Sequence, residues 1–257
     1  DLTLARMEPT GAGLVDVRST GSIDLPANAD IVSYGGTVAL RAGTGHLETL
    51  GTIAVNSAAA PGAANAGNIV LSAGGDIGVR QLVGLGNTNI SSSNGSVRLN
   101  QSLGGTNDKQ PLLGSLFVSA GKDVITNGLN LAGAASGDGL RIEAGTTGGA
   151  GHIYVNDRVG VSSGDLRFGP ARPVDDGSRS IVLRQGIYAR TGKQDITFNV
   201  PVLADGSRIL SDWQAILAAG QSEANLARIV DMVLLPGDGN TAAQGLLAAG
   251  GAYRVAY

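Results

Sequence analysis

The sequence predicts an all-β protein, a right-handed parallel β-helix (a solenoid) with a small helical element near its C-terminal end. Three observations predict this fold. A short strand phrase recurs, glycine is abundant, and the hydrophobic residues are mostly small aliphatics. The phrase is bounded by glycine and alternates apolar residues between its ends, as in GTVALRAG at 36–43 and GNIVLSAG at 67–74. One such strand cannot bury its apolar face alone, whereas stacked copies can, so the repeat indicates a solenoid.

Further copies set the length of one coil. GSLFVSAG occupies 114–121, and a degenerate copy, DGLRIEAG, occupies 138–145. The closing glycines are Gly43, Gly74, Gly121 and Gly145, which lie 31, 47 and 24 residues apart. The phrase GSVRLN at 95–100 divides the longest gap. One coil is therefore expected to take roughly 20 to 30 residues, within the range of solenoid repeats.

The individual strands follow from short runs of alternating apolar residues, separated by Gly, Asn, Asp and Ser, which accept turn geometry at little cost. The predicted strands are 13–16, 21–25, 37–41, 52–56, 68–72, 76–80, 89–92, 96–100, 115–119, 123–126, 140–143, 152–156, 160–163, 165–168, 180–184, 186–190 and 195–200. Longer loops are expected to leave the coils at 57–67, 104–111 and 169–177. Glycine makes up 41 of the 257 residues, about twice the usual fraction of ~7%, which suits such tight windings.

The last fifty residues depart from the repeat. We expect the solenoid over residues 1–202, and a helical cap or side element with a final strand over 203–257. Helical spacing of apolar residues predicts helices at 211–220 and 222–235, ended by Pro236 and Gly237, and a strand at 252–256. A cap is the expected role because an uncovered end of a solenoid invites pairing with other strand edges.

The composition of the chain limits the kinds of partner and binding site that can be expected. The formal net charge is −3, and no basic patch stands out, so a nucleic-acid partner is not expected. Cysteine is absent, which excludes disulfides and thiolate metal sites. No apolar run reaches the ~18 residues of a membrane span. Residue 1 is Asp, and we expect the chain to be a piece of a longer protein.

Two copies share a fuller phrase, SAGGDI at 72–77 and SAGKDV at 119–124. Together with the glycine-bounded strands, this phrase resembles the filamentous haemagglutinin family of two-partner-secreted bacterial exoproteins over about residues 10–200. The resemblance implies a β-helix adhesin, secreted or held at the bacterial cell surface. It implies an outer-membrane transporter as the export partner, and a host-cell or glycan ligand that it does not specify. The Asn-Pro-Asn phrase of the family's secretion domain does not occur, so the segment is expected to come from elsewhere in such an exoprotein or from a diverged secretion domain.

No catalytic, cofactor-binding or metal-binding residue is predicted, and the protein is not expected to be an enzyme. The two histidines, His46 and His152, lie beside glycine without the spacing of a metal site, and are expected on the surface or in turns. Asp76, Asp123 and Asp165 occupy turn positions, where we expect each carboxylate to cap its own backbone.

Other interpretations remain open from the sequence. The alternative is a polysaccharide-binding or polysaccharide-degrading β-helix module, because carboxylates from different coils can stack into one cluster. A convergence of three Asp or Glu side chains would favour this alternative. A passenger segment of an autotransporter is a third possibility. Asn89 and Asn94 begin sequons for N-linked sugar. The rings of Trp213, Tyr34, Tyr154 and Tyr188 are scattered, and we expect core or stacking roles for them rather than a lectin groove.

Overall fold

The structure, a computed structural model, describes residues 1–9, 13–55, 67–100, 113–134, 137–157, 159–172, 177–184, 187–189, 196–200 and 202–204. Within these ranges the protein is all-β, and the predicted parallel solenoid is confirmed. The strands are β1 (Leu2–Thr3), β2 (Val15–Ser19), β3 (Ile23–Leu25), β4 (Ile31–Ser33), β5 (Val38–Ala42), β6 (Leu47–Val55), β7 (Ile69–Ala73), β8 (Ile77–Ser92), β9 (Val97–Leu99), β10 (Leu113–Ala120), β11 (Val124–Thr126), β12 (Leu129–Leu131), β13 (Asp138–Glu143), β14 (Gly151–Val155), β15 (Val159–Val161), β16 (Asp165–Phe168), β17 (Arg179–Leu183), β18 (Ile187–Ala189), β19 (Ile196–Phe198) and β20 (Val202–Ala204). The right-handed sense of the winding stays a prediction.

The strands form three parallel ladders, which the chain visits in turn. The first ladder contains β2, β5, β7, the end of β8, β10, β13, β16 and β19. The second contains β1, β3, the start of β6, the start of β8, β9, β11, β14, β17 and β20. The third contains β4, the end of β6, the middle of β8, the start of β10, β12, β15 and β18. The long strands β6, β8 and β10 each contribute to more than one ladder, because the chain stays extended as it passes from one face of the solenoid to the next.

The number of residues in each coil follows directly from the register between paired strands. In the first ladder Val38 pairs with Ile69, Ile69 with Thr88, and Thr88 with Leu116. The steps of 31, 19 and 28 residues agree with the predicted coil of roughly 20 to 30 residues. Residues 56–66 and 101–112, which contain most of two predicted loops, lie outside the described residues.

Along each strand of the first ladder, every second side chain faces inward and contributes to the core. The inward positions stack as columns, one of which runs through Leu40, Leu71, Ile90, Val118, Ile142 and Phe168, all 2% exposed or less. Phe168 stacks on Phe198 of the next coil, with ring centroids 5.3 Å apart. A second column holds small residues, namely Ala42, Ala73, Ser92, Ala120 and Ala144. The repeated apolar phrase therefore encodes a thin interior shared by all coils.

The closing glycine of the phrase is required by close approach between coils. A Cβ atom built on Gly43 would overlap the carbonyl oxygen of Thr20, and one on Gly74 would overlap that of Gly43. Gly121 meets the carbonyl oxygen of Ser93 in the same way. Any larger residue at these three positions would push neighbouring coils apart, so glycine is fixed there by packing. Gly145, which closes the degenerate copy, differs because its φ of +68° itself favours glycine.

Several expectations differ from the structure in detail. The strands β1, β4, β12 and β20 were not predicted, nor were the start of β6 and the middle of β8. Strand β20 continues the second ladder to Ala204, while residues 205–257, with the predicted helices and last strand, lie outside the described residues. None of the described residues lies in a long apolar helix of the kind that crosses a membrane.

Candidate functional site

A polar column runs along the second ladder from β3 to β17, at the position immediately before the first buried aliphatic residue of each strand. Its members are Ser22, His46, Asp76, Ser96, Asp123, His152 and Ser180. Both histidines of the chain belong to this column. His46 and His152 each place Nδ1 against the hydroxyl of a serine in a neighbouring coil, Ser22 at 3.0 Å and Ser180 at 2.9 Å.

The aspartates of the column correct one expectation. Asp76 Oδ1 accepts a hydrogen bond of 2.7 Å from the Ser96 N–H, and Asp123 Oδ1 accepts one of 2.8 Å from the His152 N–H. Each of these carboxylates therefore reaches the backbone of the next coil instead of its own. The reason is geometric, because parallel coils stack residue on residue at about 4.8 Å, within reach of a short side chain. Asp165 instead begins strand β16.

Two members of this column, Ser22 and His46, meet an aspartate of strand β3. His46 Nε2 lies 2.9 Å from Asp24 Oδ1, while Ser22 Oγ lies at its Nδ1. A serine nucleophile also needs N–H donors aimed at the developing oxyanion. The N–H of Ser22 donates to Asp1, that of Ile23 to the His46 carbonyl, and that of His46 to Ser22 Oγ itself. These hydrogen bonds join one coil to the next, and the contact between His152 Nδ1 and Ser180 Oγ also joins neighbouring coils.

The outer face of the first ladder carries a recess of about 300 Å³. It is lined by Asn89, Ile90, Ser91, Phe117, Val118, Ser119, Arg141 and Glu143. These residues belong to three successive coils, because Phe117 pairs with Asn89 in one direction and with Arg141 in the other. Ser119 pairs in the same way with Ser91 and Glu143. Apart from Ile90 and Val118, which face the core, the lining is therefore a small array of outward side chains, two from each coil, with Phe117 and Ser119 on the middle coil.

The charges on this face occur as close pairs. Arg141 donates through Nε to Glu143 Oε1 at 2.8 Å, and through Nη2 to the same oxygen. One coil further on, Arg167 Nη2 lies 3.3 Å from Asp138 Oδ1. Towards the start of the chain, a hydrogen bond from Arg18, with the positive charges of Arg18 and Arg41, holds the pKa of Asp16 below its ordinary value despite an opposing desolvation effect.

The recess was missed in the sequence, although a signal for it exists. Aligning the strand phrases on their glycines places Ala39, Val70, Phe117 and Arg141 at the same outward position. Phe117 is the one aromatic residue among these four. Asn89 falls in the copy GNTNISSS at 86–93, which keeps the opening glycine but has Ser93 in place of the closing glycine and Thr88 in place of the first aliphatic residue, so the phrase does not identify it.

The sequon asparagines and the aromatic residues named in the sequence analysis lie in different parts of the structure. Asn89 and Asn94 are both exposed, the first within β8 and the second in the turn that follows. Tyr34 is exposed and donates to Glu8 at 2.7 Å, and Tyr154 packs edge-on against His152. Tyr188 lies in β18. Trp213 lies outside the described residues.

No cluster of three or more His, Asp or Glu side chains suited to a metal ion occurs in the part of the chain that the structure describes. In comparisons with known proteins, no protein-family model, no curated protein and no solved structure matches the chain.

Proposed function

We propose that the chain is a structural and adhesive segment of a secreted bacterial surface exoprotein. In this role the solenoid provides length and stiffness, and its outer faces and loops contact host cells, glycans or other bacteria. Export would use an outer-membrane transporter of the two-partner type, as the resemblance to the filamentous haemagglutinin family implies.

The in-register stacking of the coils is the observation that carries the proposal. The second ladder alone joins nine of the described strands or strand parts, from β1 to β20. At about 4.8 Å per coil, the described part extends about 40 Å. A shared core and cross-coil hydrogen bonds hold this length without a separate scaffold, which supports a role in displaying contacts at a distance.

Adhesion can be tested with beads that carry the whole chain. We expect saturable attachment to cultured host cells or to bacteria, and loss of attachment when the chain is heat-unfolded before coupling; albumin-coated beads are the control. The polysaccharide-degrading alternative is tested by incubating the chain with bacterial and plant polysaccharides and measuring released reducing ends. Absence of attachment to every cell type, or release of product, would overturn the adhesive proposal.

A further inference from the structure

We infer that the recess on the first ladder binds a neutral saccharide unit, whose ring lies against Phe117. The inference rests on the proposed adhesive function and assigns the contact to a particular place on the solenoid. The recess lies at residues 89–91, 117–119 and 141–143 of three successive coils.

The side chains of the recess have the mixed character that a sugar requires. A pyranose ring has an apolar face of C–H groups, which packs on an aromatic ring, and hydroxyls that both donate and accept hydrogen bonds. Phe117 is half-buried and offers the only aromatic surface among the lining residues. The Asn89 amide and the hydroxyls of Ser91 and Ser119 donate and accept as sugar hydroxyls do.

The size of the recess limits the ligand. Its volume of about 300 Å³ is at the lower end of the range for small-molecule sites, about 300–1,000 Å³. The Ser91 and Ser119 side chains are short, which leaves room beside the Phe117 ring, and Arg141 and Glu143 bound the recess on the next coil. One saccharide unit fits this space, and a longer glycan would extend beyond it along the face.

The charge arrangement favours a neutral sugar over an acidic one. Arg141 is the one cationic residue of the lining, and its Nε and Nη2 both donate to Glu143. The next arginine along the ladder, Arg167, is close to Asp138. A carboxylate or sulfate on the ligand would have to displace Glu143 from Arg141, and it would meet the repulsion of that carboxylate.

The first test is a glycan array probed with the wild-type chain, followed by titration of the best neutral ligand. We expect Phe117→Ala to weaken binding about tenfold, the upper range for loss of one aromatic stacking contact, and Phe117→Trp to retain it. Tyr34→Ala is the matched control, because Tyr34 is an exposed ring outside the recess. Circular dichroism of each variant establishes that the fold persists.

The second test addresses charge selectivity. Glu143→Gln leaves Arg141 without its carboxylate partner, so we expect this variant to keep the neutral ligand and to gain binding of uronic-acid glycans. Equal binding by wild type and Phe117→Ala, or a wild-type preference for acidic glycans, would overturn the inference. If the coated beads attach to cells while the array shows no neutral glycan bound, the saccharide assignment fails and the adhesive proposal stands. If the beads do not attach either, both fail.

Discussion

A single hydroxyl in the core gives the sharpest prediction at the scale of the residue. Thr88 occupies an inward position of the first ladder, between Ile69 and Leu116, and is 1% exposed. Its Oγ1 has no hydrogen-bond partner among the described residues. A buried hydroxyl without a partner costs roughly 1–3 kcal/mol. We therefore expect Thr88→Val, which keeps the branched shape, to raise the free energy of unfolding by about 1 kcal/mol, measured by urea denaturation.

Thr126 provides the matched control for this substitution. It is also fully buried and faces inward, but its Oγ1 donates to the Tyr154 carbonyl at 3.4 Å. Thr126→Val removes that bond and leaves the carbonyl with one partner fewer, so the urea midpoint should stay the same or fall. Equal stabilisation by both substitutions would mean that added hydrophobicity, and not the unpaired hydroxyl, is responsible.

Only some of the residues that line the recess could be predicted from the sequence. The inward and outward positions of GSLFVSAG follow from alternation alone, so the outward position of Phe117 is predictable. Its neighbour Arg141 follows from aligning the phrases on their glycines, whereas Asn89 does not, because its copy lacks the closing glycine and its position depends on the register between coils of unequal length. That register depends on how many residues each turn and loop takes, which composition does not determine.

The strands of the first ladder were found through the glycine-bounded phrase, whereas several of the shortest strands outside it were missed. The phrase with closing glycines identifies the first ladder, because the close approach of the coils requires a residue without Cβ there. Strands β4 and β12 of the third ladder are three residues long, and the runs IVS and LNL carry too few positions to show a period of two. Their strand conformation comes from pairing with neighbouring coils, which no local pattern reports.

Asp76 and Asp123 each accept a hydrogen bond from a backbone N–H of the next coil, and we expect these bonds to stabilise the contact between successive coils. Asp123→Ala removes the acceptor for the His152 N–H, and we expect a loss of about 1 kcal/mol in the free energy of unfolding. Asp123→Asn keeps a side-chain oxygen at this position and should cost less. Hydrogen exchange of the His152 amide, followed by NMR, should accelerate in Asp123→Ala far more than in Asp123→Asn.

A neighbouring substitution controls for general effects of altering this turn. Lys122 is exposed and precedes Asp123 directly, so Lys122→Ala should leave the His152 amide protected. If Asp123→Asn accelerated exchange as much as Asp123→Ala, the charge of the carboxylate, and not its hydrogen bond to the next coil, would hold the two coils together. The repeated phrase ending in Asp and an aliphatic residue would then need an electrostatic explanation.

For the whole molecule, stability should vary along the solenoid axis, because each coil contacts only the coils beside it. Among the described strands, β2 pairs with β5 alone, and its residues Val15 and Val17 are only half-buried. Strand β10, in contrast, pairs on the first face with both β8 and β13. Opening β2 therefore breaks one set of contacts, whereas opening β10 breaks two, and amides of residues 15–19 should exchange faster than those of 115–120.

One core substitution can show whether this gradient arises from contacts between neighbouring coils. Leu40 is fully buried in β5, between Val17 of β2 and Leu71 of β7. Leu40→Ala should cost roughly 2–5 kcal/mol locally. In hydrogen-exchange mass spectrometry, we expect peptides from β2, β5 and β7 to lose protection, while those from β13 and β14 keep theirs. Uniform loss of protection would show instead that all coils unfold as one unit, because the shared core would then couple distant coils as strongly as adjacent ones.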